Sequence, residues 1–199
     1  HVADFVGETI RAQQWGITVG EVEVDVDRVR AWKNEVVAKL TGGLSQLCRQ
    51  RKITYVQGRA RFLDPHSVEI TPIQGNSYSL AFEHAIIATG SVAAELPGTV
   101  RSPRIWDATR ALDVEEIPRK LLVIGGGYIG LELGQLYAGL GSDVTLVEML
   151  PHLLSGTDSD LVDVLLRHVA SQFEGVHLNT MVTGMKETAG GILATLDGP

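Results

Sequence analysis

An α/β fold that combines a parallel sheet with antiparallel meanders is predicted by three features of this 199-residue sequence. From Lys120 to Met149 a strand, a glycine turn, a helix and a second strand follow one another within thirty residues. From Ile53 to Phe82 short apolar and β-branched runs alternate with turn residues, which is the pattern of a meander. From His84 to Ala88 the run HAIIA is apolar without alternation, as suits a strand covered on both faces.

The elements follow in chain order. HVADFVGETIRAQQWG opens the chain with no methionine and in an amphipathic pattern, as if entered partway through an element. Val26, Val29, Trp32, Val36, Leu40, Leu44 and Leu47 recur every three or four residues and predict a packing helix over Asp25 to Arg51. Within it Gly42 and Gly43 each cost about 1 kcal/mol relative to alanine, so they mark a kink or a close backbone approach, or else a tolerated surface pair. Cys48, near the end of this helix, reads as a small core hydrophobe. Strands are expected at Ile53–Val56, Arg59–Leu63, Val68–Thr71 and Tyr78–Phe82, separated by Gly58, by Asp64 and Pro65, and by Gly75 and Asn76.

HAIIA ends in Thr89, Gly90 and Ser91, and backbone amides at the carboxyl end of a parallel strand are free to meet a ligand. After Ser91 a stretch broken by Pro97, Gly98, Pro103 and Pro118 sets a domain boundary between residues 1–91 and 92–199. Apolar residues at 161, 164, 165, 169 and 173 predict a helix over Asp158 to Phe173, with Thr157 or Asp158 as N-cap. A third strand is expected at Val176–Leu178 and a hairpin around Ala189, Gly190 and Gly191. The sequence then stops where a parallel sheet would take another strand, and together with the opening this predicts a piece of a longer protein. There is no internal repeat and no low-complexity segment.

The segment Lys120–Met149 carries the chemistry. Leu121–Ile124 reads as a buried parallel strand, and Gly125, Gly127 and Gly130 supply G-x-G-x-x-G where a helix begins. Gly125 permits the tight turn, Gly127 lets backbone approach a pyrophosphate, and Gly130 lets helix lie against strand while the phosphate faces the helix N-terminus. Asp143–Val147 is the next strand, and Glu148 at its end stands eighteen residues beyond Gly130, where a carboxylate can accept from ribose hydroxyls. That acid repels a 2′-phosphate and MLPHLLSG, residues 149–156, holds no arginine to receive one, so NAD is expected in preference to NADP.

Composition narrows the rest. A hydrophobic share of 44% with 21% charge is ordinary for a globular chain, and a net charge of −7, without a basic run, argues against nucleic acid or an anionic membrane as partner. No apolar stretch approaches the length of a membrane span. One cysteine excludes an intrachain disulfide, and the six histidines show no metal-ligand spacing.

VIGGGYIGLELGQLYAGLGSDVTLVEM, IIATGS and KLTGGL together resemble the pyridine nucleotide-disulfide oxidoreductases, and within that family the dihydrolipoamide dehydrogenase branch, across the whole chain in unbroken order. The resemblance implies a truncated FAD-binding lobe over residues 1–91 and a Rossmann-like NAD-binding domain, incomplete at its C-terminus, over residues 92–199. It implies that Thr89, Gly90 and Ser91 meet FAD and that the backbone of Ala60, in QGRAR, meets its adenine. It further implies that Gly125, Gly126, Gly127, Tyr128, Ile129, Gly130 and Glu132 form the NAD loop, with Tyr128 beside the nicotinamide pocket and Glu132 near the carboxamide. Glu148 becomes the ribose acid and Val182, in NTMV, a backbone contact to the NAD adenine. Read by itself, Glu132 is equally a solvated helix acid and Tyr128 a helix-start aromatic.

The same resemblance implies a parent flavoprotein that oxidises a lipoyl dithiol and passes hydride through FAD to NAD. Its partner would be the dihydrolipoyl domain of a 2-oxoacid dehydrogenase complex, its assembly a homodimer, and its location the bacterial cytoplasm or the mitochondrial matrix. Departures set limits. The family's paired cysteines, its amino-terminal glycine fingerprint and its C-terminal histidine and glutamate have no counterpart here, so no catalytic residue is expected and the segment alone should be inactive. A glutathione or mercuric reductase type, or a non-catalytic NAD-binding module, are the alternative readings.

Overall fold

The computed structural model describes residues 1–20 and 22–199. The chain divides into two compact units, one of residues 33–92 and one of residues 1–32 and 93–199. The helices α1 (Val2–Arg11) and α2 (Val26–Gln50) precede every strand. A 3-10 turn, Ala12–Trp15, closes α1 and ends on Gly16 at φ +81°, a conformation glycine adopts without penalty.

In the unit 33–92, β1 (Gly58–Asp64), β2 (Ser67–Pro72) and β3 (Tyr78–Ala81) form an antiparallel sheet in that order. Ile70, the buried residue of β2, stands between Ala60 on one side and Tyr78 on the other. The β1–β2 turn is an aspartate turn: the Asp64 carboxylate accepts the His66 amide at 2.7 Å and the Ser67 hydroxyl at 2.6 Å. These bonds to the charged form, the Ser67 hydroxyl first, hold the Asp64 carboxyl below its ordinary range.

Three of the four expected meander strands form. Ile53–Val56 does not, and neither does HAIIA, whose Ile86 and Ile87 are 95% and 71% exposed. The reason is physical: a strand covered on both faces exists only with neighbours to bond to, and none of the described residues pairs with either segment. The expectation of a packing helix also fails for α2, none of whose residues is buried; Leu40 and Leu44 remain 68% and 63% exposed. The helix is nonetheless continuous, with a Glu35–Lys39 pair one turn apart on its surface. Added methyl groups at Gly42 and Gly43 would meet no atom within 4 Å, so these are surface glycines rather than a kink or a close approach.

The other unit holds α3 (Ala108–Ala111), β4 (Lys120–Ile124), α4 (Tyr128–Gly139), β5 (Asp143–Val147), α5 (Ser159–Ala170), β6 (Gly175–His177), β7 (Met181–Thr188) and β8 (Gly191–Asp197). β4, β5 and β6 pair in parallel in chain order, with Leu121 beside Val144 and Leu146 beside Val176. Because the order advances in one direction, right-handed crossovers put α4 and α5 on the same face of the sheet. The turn just after α5 meets α4 accordingly: the Gln135 amide donates to Gln172 at 3.2 Å, and a methyl group at Gly134 would lie 2.7 Å from the Phe173 ring. β7 and β8 form the expected hairpin.

The core lies between sheet and helices, built from Leu131, Tyr137, Val144, Leu146, Leu153, Val162, Val169 and Phe173. Leu146, Leu153 and Val169 are wholly buried, each stabilising the fold by roughly 1.5–3 kcal/mol relative to exposure. Tyr137 satisfies its hydroxyl by donating to the Ala111 carbonyl at 2.7 Å and stacks at a tilt on Trp106, which ties α3 to α4. Ala3 of α1 packs on Gly139, where a side chain would collide with it at 2.9 Å. No helix among the described residues is long and apolar enough to cross a membrane.

Candidate functional site

The carboxyl ends of β4 and β5 and the start of α4 meet at one point. β4 ends at Ile124, and Gly125 follows at φ +107°, a conformation that reverses the chain and strains any residue with a side chain. Its amide donates to the Val147 carbonyl at 2.9 Å, which fixes the turn to the end of β5. Gly127 is the N-cap of α4 and its carbonyl accepts the Leu131 amide at 3.0 Å. Gly130 faces back over the turn, so that a methyl group there would lie 2.2 Å from the Gly125 carbonyl oxygen and 3.2 Å from Val123.

The opening turn of α4 lacks the groups that usually neutralise a helix N-terminus. Its N-cap is a glycine with no side chain and its first turn carries no acid. Among the described residues the amides of Gly127, Tyr128, Ile129 and Gly130 have no acceptor within the protein. Four unsatisfied donors at the positive end of a helix make a receptor for an anion such as a diphosphate. An added methyl at Gly127 would meet nothing within 4 Å, so the approach to these amides is open.

Glu148 sits half-buried beside them. Its Oε2 accepts the Gly126 amide at 2.6 Å and its Oε1 accepts the Leu150 amide at 2.8 Å. Each carboxylate oxygen keeps acceptor capacity after one such bond, so ribose hydroxyls can still donate to it. The backbone of Glu148 is held as well, its amide donating to His177 and its carbonyl accepting from Thr180 at 2.8 and 2.9 Å. Val182, half-buried in β7, follows two residues after Thr180. Tyr128, 68% exposed, and Glu132 lie on the first and second turns of α4 with open side chains.

Sequence reasoning missed the residues that enclose Gly126. Leu153 is wholly buried against it, so that a methyl group at Gly126 would lie 2.4 Å from Leu153 Cδ2, and the Leu154 amide donates to the Gly126 carbonyl at 2.9 Å. Leu154 does so from a left-handed backbone at φ +49°, uncommon for a non-glycine residue and held by surrounding contacts. The signal was the middle glycine of GGG, which the glycine fingerprint does not require.

A second cleft of about 1020 Å³ opens beside β4, lined by Leu121, Val123, Gly127 and Gly130 and by Trp106 and Met185 opposite. Arg104, which also lines it, donates to the Thr188 carbonyl on the β7–β8 hairpin at 3.0 Å.

The other expected contacts belong to the unit 33–92. Ala60 lies in β1, exposed, and Thr89, Gly90 and Ser91 lie in an exposed stretch without regular structure, with Gly90 at φ +71°. All four are open to solvent.

Comparison with known proteins gives a consistent result. Residues 4–198 match the family described as pyridine nucleotide-disulphide oxidoreductase. The chain is 42% identical over its full length to a dihydrolipoyl dehydrogenase of Haemophilus influenzae, of which it covers 41%, and 38% identical to one of Vibrio cholerae, of which it covers 42%. It thus spans about two fifths of the length of these curated relatives. Among solved structures it superposes on LpdA from Mycobacterium tuberculosis with a TM-score of 0.83 at 23% identity, covering 98% of this chain and 43% of that one, a likeness of fold. It also superposes on the flavoprotein disulfide reductase RclA of Escherichia coli, a cysteine-to-serine mutant in its Cu(II) complex, with a TM-score of 0.73 at 27% identity, covering 99% of this chain and 44% of that one. With a glycine turn, an uncapped helix and a strand-end acid in this arrangement, and a family match over nearly its whole length, the chain belongs to the pyridine nucleotide-disulphide oxidoreductases.

Proposed function

We propose that this chain is a segment of a dihydrolipoyl dehydrogenase, with a truncated FAD-binding lobe followed by the nicotinamide-binding domain, and that it takes NAD rather than NADP. The observation that carries the reading is the set of four unpaired amides at Gly127, Tyr128, Ile129 and Gly130 beside the carboxylate of Glu148. In this reading the amides receive the diphosphate, Glu148 receives the adenosine ribose hydroxyls and the backbone of Val182 meets the adenine. Gly125, Gly126 and Gly130 shape the loop. Tyr128 and Glu132 would border the nicotinamide, Tyr128 beside its pocket and Glu132 near the carboxamide. NAD, when bound, supplies the hydride acceptor.

The curated relatives carry the name dihydrolipoyl dehydrogenase, and from it comes the rest of the proposal. The whole protein would oxidise a lipoyl dithiol carried by a 2-oxoacid dehydrogenase complex, pass the electrons through FAD to NAD and act as a homodimer in the bacterial cytoplasm or the mitochondrial matrix. Ala60, Thr89, Gly90 and Ser91 are the positions proposed to meet FAD. Cys48 is the single cysteine of the chain, so the dithiol step lies outside its chemistry and the chain alone is inactive in that step. The same single cysteine favours a second reading, a nucleotide-binding module without redox activity.

The test is ligand protection against heat. A ligand bound only by the folded state at one hundred times its dissociation constant stabilises by about 2.7 kcal/mol. NADH should raise the melting temperature more than NADPH at equal concentration. A larger rise with NADPH would overturn the assignment of Glu148.

A further inference from the structure

The geometry points to a second role for Glu148: it is a positioning residue that fixes the diphosphate-binding amides, independently of any ribose it receives. This deepens the reading of the site given above and rests on it. The peptide joining Gly126 to Gly127 is the first link. Its carbonyl oxygen accepts the Leu154 amide at 2.9 Å, and because a trans peptide is planar its N–H, that of Gly127, must point the opposite way, into the open approach. The direction of the first phosphate-facing donor is therefore set by how Gly126 is held.

Gly126 is held on the other side by Glu148. The bond from its amide to Oε2, at 2.6 Å, is charge-assisted, the stronger class of hydrogen bond. The second oxygen is held by the Leu150 amide at 2.8 Å, so the carboxylate bridges the glycine loop and the segment after β5. Leu153 blocks displacement of Gly126 toward the core, since it already stands within 2.4 Å of where a methyl group on Gly126 would lie. Without the carboxylate, the Gly126 amide in this half-buried corner loses its acceptor, and the Gly127 donor next to it loses the anchor that sets its direction toward the first turn of α4. Ribose and diphosphate recognition thus run through one side chain.

The two roles separate when the ligand has no ribose hydroxyls. ADP and 2′,3′-dideoxy-ADP are titrated by calorimetry into the full chain as wild type, Glu148→Gln and Glu148→Ala, with far-UV circular dichroism to check the fold. A residue acting only on ribose leaves the dideoxy-ADP affinity unchanged in all three. With the positioning role, that affinity falls about tenfold in Glu148→Ala, the scale of one lost charge-assisted bond. Glutamine retains one acceptor for Gly126 and turns a donor toward the Leu150 amide, so Glu148→Gln should fall between. Should Glu148→Ala not fold, Glu148→Gln against wild type decides: weaker dideoxy-ADP binding supports the inference and equal binding overturns it. Failure of the wild type to bind ADP at all would remove the proposed function, and the inference with it; ADP binding with unchanged dideoxy-ADP affinity across the folded variants overturns the inference alone.

Discussion

Gly130 faces the carbonyl of Gly125 so closely that a methyl group in place of its hydrogen would lie 2.2 Å from the oxygen. Neither partner has room to yield, because the oxygen belongs to backbone and Val123 stands 3.2 Å away on the neighbouring side. Gly130→Ala should therefore destabilise the fold by about 1–3 kcal/mol, the usual range for forced overpacking, and should abolish NADH protection. Urea unfolding and a thermal shift with NADH check both. Wild-type stability with intact NADH protection would mean that α4 does not lie on β4 as described.

Leu153 offers a complementary test from the core side. It is wholly buried and packs on Gly126, so Leu153→Ala should cost about 2–5 kcal/mol through lost burial and the cavity left behind. It should also weaken NADH binding, since the wall behind the glycine loop is gone. A variant destabilised to this extent that binds NADH with unchanged affinity would separate core from loop and contradict the enclosure.

Tyr137 links stability to alkaline pH. Burial, reinforced by the carboxylates of Glu116, Asp113 and Glu115, raises its phenol above the ordinary value of 10.0. The fold thus favours the neutral phenol, so its contribution is complete below pH 10 and is lost as pH rises through the raised value. Tyr137→Phe removes the hydrogen bond to Ala111 at a cost of about 1 kcal/mol near neutrality. It should also flatten the fall in stability above pH 10. Identical alkaline slopes in denaturant unfolding of the two proteins would remove Tyr137 from this role.

Cofactor preference is the signature of Glu148. Glu148→Ala should weaken NADH binding and narrow the difference between NADH and NADPH, because the repulsion of a 2′-phosphate disappears together with the ribose acceptor. Competition between the two nucleotides, followed by nicotinamide fluorescence, measures the ratio directly. An unchanged ratio would show that discrimination resides elsewhere.

What could be read in the sequence followed the range of the interactions. The unit from Lys120 to Glu148 was legible because strand, turn, helix and acid are local, each glycine answering to a neighbour a few residues away or to the adjoining strand. Asp64 and Pro65, and the glycines at 190 and 191, marked their turns for the same reason. HAIIA misled because an apolar run records a need for neighbouring strands and not their presence, and Ile86 stays exposed among the described residues. The stripe on α2 misled likewise: periodicity gave the helix and said nothing of what covers it. Leu153 and Leu154 carried no visible pattern, since their link to Gly126 depends on a tertiary approach across more than twenty residues.

If the open amides of α4 receive the diphosphate of NAD, amide chemical shifts recorded during an NADH titration will show it residue by residue. The largest changes should fall on Gly127, Tyr128, Ile129 and Gly130, with Glu148 and Leu150 next. Saturating NADH that leaves these amides unmoved, or moves a different surface of the folded chain, would contradict that assignment.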